Sequence, residues 1–98
     1  MKYYHFRQNN SGGSFDRGDG LNVNVCIQAH SATEANALAG KVGIYFNGVD
    51  DGLDCDCCGD RWYPVSEYDG ADFPHNYSQP LQEADSMTTV HTYESLNS

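Results

Sequence analysis

The sequence predicts a single α+β domain, a small antiparallel sheet of four or five strands with one helix packed on one face. Strict two-residue alternation over residues 21–29 predicts a strand, and a capped, alanine-rich pattern from residue 31 predicts the helix. Ninety-eight residues, 39% of them hydrophobic, are enough for one modest core. Because no internal repeat divides it, we interpret the chain, residues 1–98, as one domain.

The clearest elements lie in the first third of the chain. Residues 2–7 are rich in aromatic side chains and predict a strand, whereas Gly, Asn, Ser and Asp dominate residues 8–20 and predict a loop. Residues 21–29 alternate in polarity, which predicts a strand with one buried face. The apolar face carries Leu21, Val23, Val25 and Ile27, and the polar face carries Asn22, Asn24, Cys26 and Gln28.

A helix is expected to follow directly. Ser31 and Glu34 have the spacing of a capping box, in which each side chain accepts a backbone N–H at the start of a helix. Apolar positions then fall on one helical face, and their small side chains would let the helix lie close to a sheet. They are Ala35, Leu38, Ala39 and Val42. Gly40 and Gly43 indicate where the helix ends.

The second half of the chain predicts less regular structure. We expect short strands at residues 43–49 and 61–67, the latter at a sheet edge because Pro64 cannot donate to a ladder. Residues 68–85 predict an irregular connection. Residues 86–93 predict a last strand, and residues 94–98 a loose tail.

A formal net charge of −9 limits the classes of partner. Nucleic-acid affinity comes mainly from Lys and Arg neutralising phosphates, so direct nucleic-acid binding is not expected. An anionic membrane surface is disfavoured for the same reason. The chain also offers no apolar stretch of membrane-spanning length and no signal-peptide pattern, which predicts a protein kept in a reducing cytoplasm.

Residues 54–62, DCDCCGDRW, hold three of the four cysteines. Cys55 and Cys58, followed by a glycine, match the C-x2-C-G pattern of a zinc knuckle, so these two residues are candidate zinc ligands. No second C-x2-C exists, and ordinary turn cysteines remain the alternative. The candidates for further ligands are Cys57, Cys26, His5, His30, His75 and His91. Redox catalysis is disfavoured, because the surrounding aspartates oppose thiolate formation.

The same region predicts a surface for binding a partner. Residues 50–60 contain five aspartates and no base, and three residues with large side chains follow them directly. Fixed charge accelerates association and aromatic side chains supply affinity, which is what a protein-binding surface needs. The candidates are Asp50, Asp51, Asp54, Asp56, Asp60, Arg61, Trp62 and Tyr63. The alternative is a solvated turn in which Trp62 belongs to the core.

The glycine-rich loop is the third candidate site. Backbone amides in such a loop can bind an anion, and with the tyrosines it would form a pocket for a small molecule or signal nucleotide, at an oligomer interface. Its candidate residues are Asn9, Asn10, Ser11, Gly12, Gly13 and Ser14. A flexible connection between strands is the alternative, since neither a P-loop lysine nor a helix follows.

No local signature of catalysis is present, so we do not expect an enzyme. The combination of QNNSGGSF with a later DCDCCGDRW resembles a family of small uncharacterised proteins of tailed bacteriophages. That resemblance covers residues 3–16 and 43–65 and implies expression in the cytoplasm of an infected bacterium. The expected function is therefore that of a phage-encoded accessory protein, which binds and modulates a host or phage macromolecule, for instance as an inhibitor of host defence. A small-molecule binder and a structural zinc module are the alternatives.

Overall fold

The computed structural model describes residues 1–10, 15–18, 20–81 and 86–97. The described chain contains a four-stranded sheet, a two-stranded hairpin and two α-helices. The α+β class predicted from the sequence is confirmed. The strands are β1 (Lys2–Arg7), β2 (Asn24–Ala29), β3 (Gly70–Ala71), β4 (His75–Asn76), β5 (Gln79–Pro80) and β6 (Thr88–His91), and the helices are α1 (Ala32–Ala39) and α2 (Tyr93–Leu96).

The main sheet is mixed rather than wholly antiparallel. Its strand order is β3-β1-β2-β6, in which β1 pairs antiparallel with β2 and with β3. Strand β6 instead pairs parallel with β2. Strands β4 and β5 form the separate hairpin.

One face of the sheet forms the hydrophobic core with α1. Alternate residues of β1 and β2 contribute Tyr4, Phe6, Val25 and Ile27, each at most 1% exposed. The helix contributes the small face that its sequence predicts, Ala35, Leu38 and Ala39, with Val42 partly buried beside them. Trp62 completes the cluster. Burial of such side chains is the main favourable term in folding, on the order of 2 kcal/mol for each large one.

The termini of α1 follow the predicted signals. The Ser31 hydroxyl accepts the N–H of Glu34 at 3.1 Å, and the Glu34 carboxylate accepts the N–H of His30, one residue before the cap, at 2.7 Å. A 3-10 turn, Gly40–Val42, continues the helix. Gly43 then adopts a left-handed conformation with φ 101°, which glycine reaches without steric cost.

The prediction that β2 has only one buried face is wrong. Asn24 and Cys26, on its polar side, are 5% and 0% exposed. The β4–β5 hairpin lies over this side, where the Cys26 thiol donates to the carbonyl of His75 at 2.9 Å. The strand is therefore buried on both faces. On the polar side Cys26 bonds the hairpin, and the Asn24 side chain accepts from His5 of β1 at 2.7 Å.

The predicted strands at residues 43–49 and 61–67 are also wrong. Left-handed backbone at Gly43 and Asn47 turns the first segment where a strand would extend it. In the second, the Asn36 side chain bonds both the N–H and the carbonyl of Val65, at 2.9 and 3.0 Å. A side chain of α1 thus occupies the backbone groups that a neighbouring strand would have used.

The remaining predictions for the second half are met in part. The sequence predicts an irregular connection over residues 68–85, yet residues 68–81 include strands β3, β4 and β5, preceded by a 3-10 turn at Glu67–Asp69, and residues 82–85 lie outside the described residues. The last strand is confirmed at Thr88–His91, shorter than predicted. Helix α2 occupies most of the predicted tail. Neither helix of the described chain has the length and apolar character needed to cross a membrane.

Candidate functional site

Asp54 organises the turn that carries the cysteines. Its side chain is 1% exposed and accepts the Tyr45 hydroxyl at 2.8 Å and the N–H of Arg61 at 2.7 Å. The Arg61 guanidinium lies 3.7 Å away, so the buried charge is paired. Gly48 is required beside it, because a Cβ at that position would overlap the Asp54 carboxylate. Residues 45–61 are therefore built around an internal acid.

Within this frame residues 55–59 form a tight turn. The carbonyl of Cys55 accepts the N–H groups of both Cys58 and Gly59 at 3.2 Å. Gly59 has φ 83°, a left-handed conformation that explains the glycine of the C-x2-C-G pattern. The turn thereby brings the side chains of Cys55, Cys57 and Cys58 to its outer surface, where all three are exposed.

These three cysteines form one group, which we call the cysteine cluster. Their sulfur atoms all lie within 4.8 Å of one another, with 2.7 Å between Cys55 and Cys57 and 3.6 Å between Cys57 and Cys58. Sulfurs bound to one tetrahedral zinc at 2.3 Å would lie about 3.8 Å apart. The cluster can hold a metal ion through three sulfur ligands.

Contacts inside the cluster shift the pKa values of two of its thiols in opposite directions. The hydrogen bond from Cys57 lowers the pKa of Cys55, because it stabilises the thiolate. The same contact raises the pKa of Cys57 to about 11, because Cys57 must keep its proton in order to donate it. The contact thus favours the thiolate, the form that binds a metal ion, at Cys55.

The structure places the other predicted ligands elsewhere. Cys26 is buried against the hairpin, and both ring nitrogens of His5 and of His75 are engaged in hydrogen bonds. His30 pairs with Glu34, and His91 bonds the carbonyl of Gly20. Of the candidates named for the further ligands, Cys57 alone joins Cys55 and Cys58. The described residues therefore supply three sulfurs and leave the fourth coordination position open.

The predicted partner-binding residues divide into two groups. Asp54 and Trp62 point inward, and Asp60 accepts the N–H of Val49 at 2.9 Å, so these three stabilise the fold. Arg61 is half-buried and pairs with Asp54. Four residues remain exposed, namely Asp50, Asp51, Asp56 and Tyr63. The acidic surface is consequently smaller than the sequence suggests.

The glycine-rich loop and the cysteine turn meet at Asn9. Its side-chain amide donates to the carbonyls of Cys58 at 2.7 Å and Asp60 at 3.1 Å, and its backbone N–H donates to the carbonyl of Arg61 at 2.7 Å. Asn10 is exposed beside it, whereas Ser11, Gly12, Gly13 and Ser14 lie outside the described residues.

A cavity of about 540 Å³ opens beside Asn9, which is one of its lining residues. It lies between the end of β1, residues 63–69 and the β4–β5 hairpin, and ligand pockets commonly have this size. Its described lining includes Arg7, Asn10 and three tyrosines, Tyr63, Tyr68 and Tyr77. Sequence reasoning did not place Arg7, His5 or the hairpin in a pocket, because the contacts that do so join residues about 70 positions apart.

Two buried histidines form the cavity floor. His5 Nε2 donates to Asn24 at 2.7 Å while its Nδ1 accepts the N–H of Tyr77 at 3.2 Å. His75 Nε2 donates to the carbonyl of Tyr3 at 2.9 Å while its Nδ1 accepts the N–H of Ser78 at 2.8 Å. These partners fix both rings as neutral imidazoles. Burial lowers the pKa of His5, which agrees with that state.

Comparison with known proteins identifies the family but no activity. No curated protein and no solved structure matches the chain. One family model matches residues 1–96, nearly the whole length. The chain therefore belongs to the family described as Domain of unknown function (DUF7296).

Proposed function

We propose that the protein is a metal-binding module that holds zinc through Cys55, Cys57 and Cys58. The observation that supports this proposal is the convergence of three exposed sulfurs within 4.8 Å on one short turn. Thiolates are the ligands that zinc and other thiophilic ions prefer. With three ligands from the described residues, a fourth comes from water or from a partner, so the site is open rather than closed.

Metal binding here organises the turn without being needed for the core. None of the three cysteines belongs to the hydrophobic cluster, which is formed by the sheet, α1, Ile44 and Trp62. We therefore expect metal removal to loosen residues 54–60 and to leave the sheet and helix folded. This differs from a zinc finger, whose fold depends on its metal.

Titration with Co²⁺ tests the proposal, because cobalt replaces zinc and its thiolate complexes absorb in the near ultraviolet. We expect one equivalent to bind, with an absorption that is displaced by Zn²⁺. Each of Cys55→Ser, Cys57→Ser and Cys58→Ser should weaken binding by at least tenfold. Cys26→Ala is the control, because the buried Cys26 thiol is remote from the cluster and its loss should leave the titration unchanged.

An equal absorption in the triple serine variant and the wild type would reject the cysteine cluster as the site. Absence of any thiolate absorption in the reduced wild-type protein would reject metal binding altogether. Circular dichroism of each variant checks that the fold is retained.

A second candidate function is the binding of a macromolecular partner, as expected of an accessory protein. Leu53 is 64% exposed among Asp50, Asp51 and Asp56, so an apolar side chain and three free charges occupy the same turn as the cluster. An open coordination position beside them could be completed by a ligand from the partner. The phage origin and the host cytoplasm, implied by the resemblance, stay predictions.

Affinity purification from a bacterial lysate, with zinc present and with a chelator present, tests this second function. A specific partner should be retained by the wild type and lost from a variant carrying Leu53→Ser, Asp50→Asn and Asp51→Asn. Equal recovery by both proteins would place the contact on another surface.

A further inference from the structure

We infer that the cavity beside β1 is a second binding site, for a small aromatic ligand that carries one carboxylate. This site is separate from the cysteine cluster and does not depend on the function proposed for it. The inference rests on the charges, the aromatic side chains and the fixed floor of the cavity.

The charge of the cavity comes from Arg7. It is the only cationic side chain among the described lining residues and makes no ion pair with a carboxylate of the described chain. Its described polar contact is a distant one, 3.5 Å to the side-chain oxygen Oδ1 of Asn24. Asp69 is the one carboxylate among the described lining residues, and its Oδ2 accepts the N–H and hydroxyl of Ser66 at 2.7 and 3.2 Å. A ligand anion would therefore meet an available guanidinium, which binds carboxylates with two hydrogen bonds.

The aromatic side chains of the cavity are unusually accessible. Tyr63, Tyr68 and Tyr77 are 54%, 96% and 68% exposed, and all three line it. Large exposed apolar side chains gathered around one concave surface mark a binding site more often than scattered ones do. Their ring faces offer stacking surface to a flat ligand.

The floor of the cavity is held by hydrogen bonds within the protein. His5 and His75 each use both ring nitrogens within the protein, so neither is free to bind an anion or a metal. The His5 and Tyr77 rings contact edge to face, with centroids 4.6 Å apart, which holds one tyrosine of the wall in place. Recognition of charge therefore falls to Arg7 alone.

One cation selects for one anionic group. The chain carries a net charge of −9, so a ligand with several phosphates would be repelled by the protein as a whole and met by a single guanidinium. A nucleotide di- or triphosphate fits this site poorly. An aromatic ring joined to one carboxylate matches both the tyrosines and Arg7.

Three acids and their neutral analogues test the inference. Indole-3-acetate, 4-hydroxyphenylacetate and 2-naphthoate are each titrated against the corresponding primary alcohol, with amide chemical shifts as the measurement. We expect saturable shifts at Arg7, Asn10 and Tyr77 with at least one acid, and binding at least tenfold weaker with its alcohol. ADP and the peptide Gly-Gly-Phe are titrated in parallel.

Two variants locate the site. Arg7→Gln should weaken the acid by about tenfold or more, since a hydrogen bond to a charged group is lost, and should leave the alcohol unchanged. Tyr68→Ala should weaken acid and alcohol alike. Arg17→Gln is the matched control, because Arg17 is exposed but does not line the cavity. Both variants change exposed side chains, and amide spectra confirm that each remains folded.

Several outcomes would overturn the inference. They are the absence of saturable binding by all three acids, equal affinity for acid and alcohol, and an Arg7→Gln protein that binds as the wild type does. Tighter binding of ADP or of the peptide would assign the cavity to another class of ligand. Repeating the titration with the triple serine variant of the cluster should give unchanged affinities, so the outcome is independent of metal binding.

Discussion

Single polar side chains hold together parts of this protein that are far apart in sequence. Four of them form hydrogen bonds with backbone or side-chain groups of another segment, namely Asp54, His5, Gln8 and Asn36. Gln8, which is 1% exposed, bonds both Asp16 and the carbonyl of Asn22, and it also accepts from Arg61 at 2.8 Å. In a domain with a modest hydrophobic core, such contacts specify which segments meet.

Asp54 is expected to be the most sensitive of the aspartates in residues 50–60. Asp54→Asn removes the charge opposite Arg61 and turns an acceptor into a partial donor toward the N–H of Arg61, so we expect a loss of about 3 kcal/mol in the free energy of unfolding. Urea denaturation measures it. Asp56→Asn, on the exposed side of the same turn, should be indistinguishable from wild type. Equal effects of the two substitutions would contradict the internal role of Asp54.

His5 should make the protein less stable in mild acid. Burial lowers the pKa of His5 below 6.5, its ordinary value, so the unfolded chain takes up a proton at a higher pH than the folded protein does. The ionisable groups that act on it are Arg7 of the same strand and, from neighbouring segments, His75 and Asp69, of which Asp69 alone favours the proton. Stability is thus complete above pH 6.5 and falls as the pH drops through 6.5 toward the lower folded value.

Urea denaturation between pH 7.5 and 5.5 measures this dependence. The wild type should lose stability across the interval, and His5→Gln should show a flatter profile from a lower starting value. His30→Gln is the matched control, because it makes the same change at an exposed histidine and leaves the buried His5 in place. An unchanged slope in His5→Gln would mean that another group takes up the proton.

At the scale of elements, local patterns predicted β1, β2 and α1, because alternation and capping are properties of neighbouring residues. The failures lie where a distant side chain decides the conformation. The local pattern predicts a strand at Val65, but the Asn36 side chain of α1 bonds the backbone N–H and carbonyl of Val65. The cysteine turn was recognised from its glycine and spacing, whereas the cavity was not, since Arg7 and Tyr77 meet only after folding.

The turn of the β4–β5 hairpin has an unfavourable backbone conformation, which tertiary contacts stabilise. Tyr77 and Ser78 connect its strands with φ 51° and 69°, a left-handed pair that usually requires Asn-Gly. The Nδ1 atoms of His5 and His75 accept the N–H groups of these two residues and thereby hold the turn.

Ser78→Gly should therefore stabilise the protein. Glycine adopts φ 69° without strain, whereas serine does not. Glycine also makes the unfolded chain more flexible, which opposes folding, and we expect a net gain of about 1 kcal/mol in the free energy of unfolding. Ser95→Gly is the matched control, because Ser95 is exposed and lies in α2, where glycine is unfavourable, and it should be destabilising. A loss of stability in Ser78→Gly would show that the turn is not strained.

At the scale of the whole molecule, the sheet lies between two unlike layers. Helix α1 and Trp62 cover one face with apolar contacts, and the hairpin covers the other through histidines, Asn24 and Cys26. The cavity adjoins this second, polar layer, and Asn9, which lines the cavity, links it to the cysteine turn. Both candidate sites thus lie away from the apolar core, so substitutions in either site can be tested in a protein that remains folded.

The net charge of −9 opposes compaction of the chain, because like charges lie closer together in the folded protein than in the unfolded one. Added salt should therefore stabilise it, since the screening length falls from about 30 Å at 0.01 M to about 8 Å at 0.15 M. We expect Tm to rise by a few degrees over this range of NaCl, as measured by circular dichroism.

A variant with Asp50→Asn, Asp51→Asn and Asp56→Asn tests whether residues 50–60 are a main source of this repulsion. All three side chains are exposed, so the fold should be retained, and the net charge becomes −9 + 3 = −6. Its Tm at 0.01 M NaCl should exceed that of the wild type, and its salt dependence should be smaller. Since KCl and NaCl screen equally, the two salts should give the same curve. If the variant kept the wild-type salt dependence, the repulsion would come from other acidic residues. These three would then remain candidates for binding a partner.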